Sequence, residues 1–288
     1  MRELKIFGVV VFFTLLTYIG VEPFAHSQMH PKVAPADFQF KDLTPNTKVG
    51  DPVKGADNFM NAGCVGCHGL ESQGMPSPMD DATSSASFGV AAPDLSVAGL
   101  IYESNFLAAL IKNPAHALKV EHKFNESNPH PMPQFYGLGG DIDQEIADMV
   151  AYLKSIAPEK VSDAKVYNDA CLRCHSMKYV NDYTGSDGDA LTKYMGTLPP
   201  DLSMYIRSRG ETFLTTFIND PQKHLKGTSM PRVGLTQDAQ EQVIAYMESA
   251  GDRKKDERES LGIKIIGFMI IFTILAYLWK VKIWREVH

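Results

Sequence analysis

Cys64-Val65-Gly66-Cys67-His68 and Cys171-Leu172-Arg173-Cys174-His175 decide how this chain is read. The two strings hold all four cysteines of the 288-residue sequence, so no thiol is left for another purpose. A Cys-x-x-Cys pair alone is compatible with a zinc half-site, a redox dithiol or a short disulfide. Zinc does not require His directly after each pair, and a disulfide at that spacing closes almost no loop. With His in that place, each string reads as a covalent attachment site for a c-type haem. The thiols form thioethers with the porphyrin vinyls, and the adjacent imidazole reaches the iron from the same side.

The sequence around the strings is an internal repeat. His68 to Pro93 spans 25 positions, as does His175 to Pro200, and Pro93-Asp94-Leu95-Ser96 matches Pro200-Asp201-Leu202-Ser203. Pro93 to Pro114 and Pro200 to Pro221 are both 21 apart, and Leu118-Lys119 matches Leu225-Lys226, so the halves run in register at an offset of 107. Each half then reaches a Met-Pro pair, Met132-Pro133 or Met230-Pro231, and the first half is nine residues longer there. Units of this length are duplicated domains rather than solenoid repeats.

Both halves read as helical. Residues 105–112 place Phe106, Leu107, Leu110 and Ile111 on one face, and residues 212–218 do the same with Phe213, Leu214, Phe217 and Ile218. An Asn-Pro or Asp-Pro pair follows and is expected to stop each helix. The last run of each half, residues 142–156 and 236–249, has a 3.6-residue apolar period, and no segment alternates as a strand would. The fold class is therefore all-α.

The ends differ from the middle. Residues 6–21 are apolar behind Arg2 and Lys5, as in a signal anchor, with a cleaved signal peptide as the alternative. Pro23 and Phe24 crowd the small-residue site at Ala25-His26-Ser27, which favours retention. Residues 261–279 form 19 largely apolar positions, interrupted by Lys264 and followed by Lys280, Lys282 and Arg285. The positive-inside rule places both termini in the cytoplasm. The haem domains then lie in the periplasm of a bacterial inner membrane, where covalent haem attachment takes place. The expected order is an anchor helix at 1–27, a periplasmic linker at 28–50 and a first haem domain at 51–157. A second haem domain at 158–250, a charged linker at 251–260, a transmembrane helix at 261–280 and a tail at 281–288 complete it. Composition fits this plan. A mean hydropathy of −0.16 excludes a polytopic membrane protein, and a net charge of −6 argues against nucleic acid as a partner.

The halves resemble class I c-type cytochromes: a helix, the CxxCH string, a Pro-containing loop, a middle helix, a ligand methionine in a loop, and a closing helix. The resemblance implies two covalently bound haem c groups, with Met132 and Met230 as sixth ligands opposite His68 and His175. Thioether sulfur raises a haem's potential relative to bis-histidine ligation. His130, two residues before Met132, is a rival ligand in the first half. Pro93 and Pro200 are similar to the class I proline whose carbonyl accepts the Nδ1 proton of the ligand His.

The second half is similar to something narrower. Cys174-His175-Ser176-Met177-Lys178-Tyr179-Val180, Pro199-Pro200-Asp201-Leu202-Ser203, Met230-Pro231 and the C-terminal anchor resemble cytochrome c1 of quinol:cytochrome c oxidoreductases. That family carries an Arg near a haem propionate, a role implied for Arg207 or Arg209. The matching positions in the first half are Leu100 and Tyr102, so its propionates must be satisfied differently. The whole chain resembles the dihaem cytochrome c subunit of the epsilonproteobacterial bc1-type complex, with a cytochrome c4-like duplication.

That resemblance implies electron transfer without substrate chemistry of its own. Cytochrome b and Rieske iron-sulfur subunits are the implied partners, together with membrane lipid. Electrons would enter at the second domain and leave from the first to a periplasmic cytochrome c or a terminal oxidase. The alternatives are the dihaem subunit of a cbb3-type oxidase, which does not usually end in a second span, and a dihaem peroxidase. Asp141, Asp143, Glu145 and Asp148, and Asp182, Asp187 and Asp189, offer acidic surfaces for steering a basic partner, or are solvated faces.

Overall fold

A computed structural model describes residues 2–29 and 37–287. Residues 30–36 of the expected linker and the last residue of the tail lie outside the described residues. Among the described residues the regular structure is helical, with only isolated bridges in place of strands.

The chain begins with α1 (Arg2–Leu15), which passes through a π turn at Leu16–Val21 into α2 (Glu22–Met29). The first domain opens with α3 (Pro52–Asn61). Asp51 caps it by accepting from the N–H groups of Val53 and Lys54, and Pro52 occupies the first turn, where its missing N–H costs nothing. Next come α4 (Asp81–Phe88), α5 (Ala98–Ile101), α6 (Ser104–Lys112), α7 (Pro114–Ala117) and α8 (Ile142–Ile156). Helix α3 crosses α8 at very close range. A Cβ on Gly55 would lie 1.9 Å from the Asp148 carbonyl oxygen, so only glycine fits there. Phe59, Leu107, Ile146, Met149, Val150 and Leu153 form the core between them.

The second domain repeats the plan with α9 (Asp163–Tyr167), α10 (Gly188–Met195), α11 (Tyr205–Arg209), α12 (Glu211–Asn219), α13 (Pro221–His224) and α14 (Gln237–Gly251). Its core is built on Val166, Tyr167, Met177, Leu214, Ile218, Val243 and Met247. The prolines expected to end the middle helices do more than that: Pro114 and Pro221 each open a further short helix.

The domains are stitched together by backbone. Tyr102 and Leu235 form an antiparallel bridge, Glu103 N–H donates to the Gly234 carbonyl (3.0 Å), and Thr236 N–H donates to that of Ile101 (2.9 Å). Arg232, 2% exposed, donates from Nε to the Ala117 carbonyl and from Nη1 to both oxygens of Asp42 at 2.8 and 2.9 Å. Asp42 belongs to the stretch expected to be a linker. Its neighbours Phe40 and Leu43 are instead buried against Phe106 and Ala117, because two large apolar side chains gain more from that contact than from water.

The final helix α15 (Lys255–Val287) starts six residues before the expected transmembrane segment, inside the expected charged linker. Ion pairs of Lys254 with Glu257, Lys255 with Glu248, and Arg258 with Asp252 hold this first part. Glu3–Ala25 and Lys255–Glu286 are both long and apolar enough to cross a membrane, with hydropathies of 2.1 and 2.3. Lys280 Nζ lies 2.9 Å from Glu3 Oε2, which brings the start of the first helix to the end of the last.

Candidate functional site

The two CxxCH strings lie in separate domains, Cys64 against the first core and Cys171 against the second, so they cannot share one four-thiolate site. None of the four cysteines pairs with another in a disulfide. Burial pushes the thiols of Cys64 and Cys174 up, and that of Cys171 up to about 12. In each string a tight turn brings the His N–H back to the first Cys carbonyl, at 3.0 Å for His68 and 2.9 Å for His175.

Each imidazole is then fixed by a second bond. His68 Nδ1 lies 2.8 Å from the Pro93 carbonyl, and His175 Nδ1 lies 2.8 Å from that of Pro200. A carbonyl only accepts, so Nδ1 carries the proton and Nε2 keeps its lone pair for a metal. Burial pushes both imidazole pKa values down, which holds the neutral, ligating form. The residues present therefore fit a covalently attached haem in each domain.

The Pro-Asp-Leu-Ser repeat explains how each proline carbonyl is aimed. Asp94 Oδ2 accepts from Glu71 N–H and Asp201 Oδ2 from Lys178 N–H, both at 2.9 Å. Ser96 Oγ accepts from Ser72 N–H (3.0 Å) and Ser203 Oγ from Tyr179 N–H (3.1 Å). Leu95 N–H donates to the Gly69 carbonyl and Leu202 N–H to that of Ser176. The Asp and Ser thus clamp the proline loop to the segment just past the CxxCH string. Sequence reasoning noted the match but missed this role, although four identical residues at one offset were the available signal.

The two methionines expected as ligands have different surroundings in the two domains. Met132 and Met230 are half-buried, in the loops before α8 and α14. In the first domain, His130 Nδ1 lies 3.1 Å from both the N and the carbonyl O of Met132, and its ring stands edge-on to Phe124, centroids 4.8 Å apart. Burial pushes the His130 pKa down. The extra residues of this loop form a turn closed by Asn125 and Asn128. In the second domain, Gln222 closes a shorter turn by accepting from Gly227 N–H, and Met230 N–H donates to Thr228 Oγ1. His224 packs edge-on to Phe213 at 5.0 Å.

The remaining candidates have partners of their own. Arg207 approaches Asp252 (3.8 Å) at the foot of α15, and Arg209 lies over the Phe213 ring (5.3 Å). The first acidic stretch, read as a steering surface or a solvated face, is divided: Glu145 and Asp148 are buried, while Asp141 and Asp143 stay half in water. Asp148 is 3% exposed and accepts from Asp51 N–H, Glu145 accepts from Leu138 and Gly140 N–H, and Asp141 and Asp143 pair with Lys48 and Lys112. Backbone donors without partners cost more than a distant charge field repays. Asp187 likewise caps α10, and Asp182 accepts from Tyr246 Oη.

The cytochrome c family model matches residues 52–157 and again 164–251. The ammonia monooxygenase gamma subunit of Nitrosomonas europaea is 26% identical over 133 residues, which covers 33% of this chain. The chain spans 57% of that relative's length. A chain of a hyperthermophilic respiratory Complex III aligns at 21% identity with a TM-score of 0.34, covering 44% of this chain and 75% of that one. With two matches that together take in well over half of its residues, the chain belongs to the cytochrome c family.

Proposed function

We propose that this chain is the membrane-anchored dihaem cytochrome c subunit of a bc1-type quinol:cytochrome c oxidoreductase. Its second, c1-like domain takes electrons from a Rieske iron-sulfur centre, and its first domain passes them to a periplasmic cytochrome c or a terminal oxidase. Haem c supplies a one-electron ferric/ferrous couple when bound. The chain's part is to attach it, to hold His68 and His175 in the ligating tautomer, and to offer Met132 and Met230 as sixth ligands. With a His and a Met of each domain given to its iron, no position would be left for a substrate, which favours transfer over peroxide chemistry.

One observation carries the reading: a second haem domain with Pro199-Pro200-Asp201-Leu202-Ser203 beneath His175 leads from α14 through a three-residue turn into the apolar helix α15. The pairing of Glu3 with Lys280 supports a topology with both termini on one side and both haem domains on the other. The test is to extract the protein from native membranes in mild detergent, identify what stays bound, and record optical and EPR spectra. Haem b together with a Rieske-type signal is the expected result. Copper and high-spin haem would assign the chain to an oxidase, and a subunit that elutes alone would overturn the complex.

A further inference from the structure

Two cationic side chains lie at the domain interface, each in contact with the other domain. Arg173 stands between the cysteines of the second string, and its Nη1 donates across the interface to the Ala91 carbonyl (3.2 Å). Its Nε is buried without a hydrogen-bond partner. Lys123 lies in the longer loop of the first domain, and its Nζ is likewise buried without an acceptor. That ammonium sits 4.2 Å from the centre of the Tyr194 ring and 5.3 Å from that of Phe124. Such contacts return only part of what an ion loses on leaving water, so the rings alone leave the cation under-compensated. Among the described residues neither side chain forms an ion pair, and the site is short of an anion.

The position of the pair says which anion. Arg173 holds the Ala91 carbonyl, two residues before the Pro93 carbonyl that fixes His68 on one flank of the first site. Lys123 lies against Phe124, whose ring stands edge-on to His130 beside Met132 on the other flank. Cations tied to both flanks of one site sit at its edge. The carboxylates that a haem brings to its edge are its propionates, and Leu100 and Tyr102 offer no cation to them from within the first domain.

We propose that Arg173 and Lys123 form an anion site across the domain interface that holds the propionates of the first domain's haem. The second domain then supplies part of the charge that sets the first haem's potential, and the domains cannot be tuned independently. This inference rests on the reading of residues 64–68 as a haem attachment site.

The experiment is a spectroelectrochemical titration of the full chain in detergent, with covalent haem counted in every variant. The step belonging to the first haem is the one missing from a chain carrying C64A and C67A. Arg173→Gln and Lys123→Gln each remove a positive charge and are expected to shift the first haem's ferric/ferrous ratio about tenfold toward ferric at fixed potential. That corresponds to about 59 mV for one electron. The second haem should move less, and Arg173→Lys should recover most of the shift. Two loaded haems with unmoved potentials in both Gln variants would overturn the proposal. So would a parent potential that follows added phosphate, since that assigns the pair to a soluble anion. Lys123 lies outside both CxxCH strings, so K123Q decides alone if R173Q fails to mature. A parent with no haem at Cys64 and Cys67 would instead sink the underlying haem reading.

Discussion

The first and second domains share one half of their site and differ in the other. Beneath each His, the proline carbonyl, the Asp carboxylate and the Ser hydroxyl repeat with the same partners at distances matching within 0.1 Å. Above it, one loop folds around His130, Phe124 and an Asn125–Asn128 turn, and the other is a short turn closed by Gln222. Holding an imidazole in one tautomer and one orientation allows few solutions. Delivering a thioether from a loop allows many, so the loop is free to take on contacts with the neighbouring domain.

The largest expected effect probes that contrast at the ligands. Met230→Leu should lower the second haem's potential by on the order of 0.1 V or more, within the span that axial ligands control. Met132→Leu should do the same for the first haem, read by redox titration. A much smaller change at Met132, with retained low-spin character, would show that His130 takes the sixth position. His130→Ala should otherwise leave the first haem low-spin, and a high-spin ferric band would make His130 the ligand.

Next in size is the stitching between the domains. Arg232→Met strips the Ala117 carbonyl of its side-chain donor and leaves Asp42 with Lys119 at 3.6 Å, and should cost about 2–3 kcal/mol in urea unfolding. The figure is below that for a fully buried pair because Asp42 keeps 48% of its side chain in water. Gly234→Ala should cost a similar amount, about 1–3 kcal/mol from overpacking alone. Its φ is +78° and a Cβ would lie 2.1 Å from Phe106 Cδ1 of the other domain. Gly63→Ala, with φ +75° but nothing within 4 Å, should cost only about 1 kcal/mol. Equal losses at Gly63 and Gly234 would deny that the interface is tightly packed.

The smallest effect is a pH dependence. Burial alone would raise the Asp42 pKa, but the Arg232 hydrogen bond and the charges of Arg232 and Lys119 hold it below its ordinary 3.8. A carboxyl depressed on folding stabilises fully above its unfolded value and loses that contribution as pH falls through the lower folded one. The clamp should therefore be intact above about pH 4 and weaken only in stronger acid. In R232M this acid-dependent part of the stability should shrink.

Much of this was legible in the sequence, for physical reasons. The 25-residue spacing from each His to its Pro is the spacing at which Nδ1 and carbonyl stand 2.8 Å apart. The middle and closing helices were readable because each must show one apolar stripe to a core. Helix α4 was not, since Asp81-Ala82-Thr83-Ser84-Ser85-Ala86-Ser87-Phe88 has no such stripe and is held by an Asp80 cap and contact with the other domain. The role of residues 40–43, the clamp at Arg232 and the pair Arg173 and Lys123 depend on contacts more than 50 positions apart in sequence. Periodicity carries no record of such contacts. The acidic residues stay ambiguous in the sequence for a related reason: a charge count does not reveal which carboxylates are consumed by backbone N–H groups.

The most direct test of the account is the haem stoichiometry of the purified full chain, measured by haemochrome absorbance against protein and followed by optical redox titration. The account predicts two covalent haem c groups per chain and two one-electron, low-spin steps. A single haem, or a stable high-spin ferric population at either site, would contradict the paired His/Met architecture on which the electron-transfer reading depends.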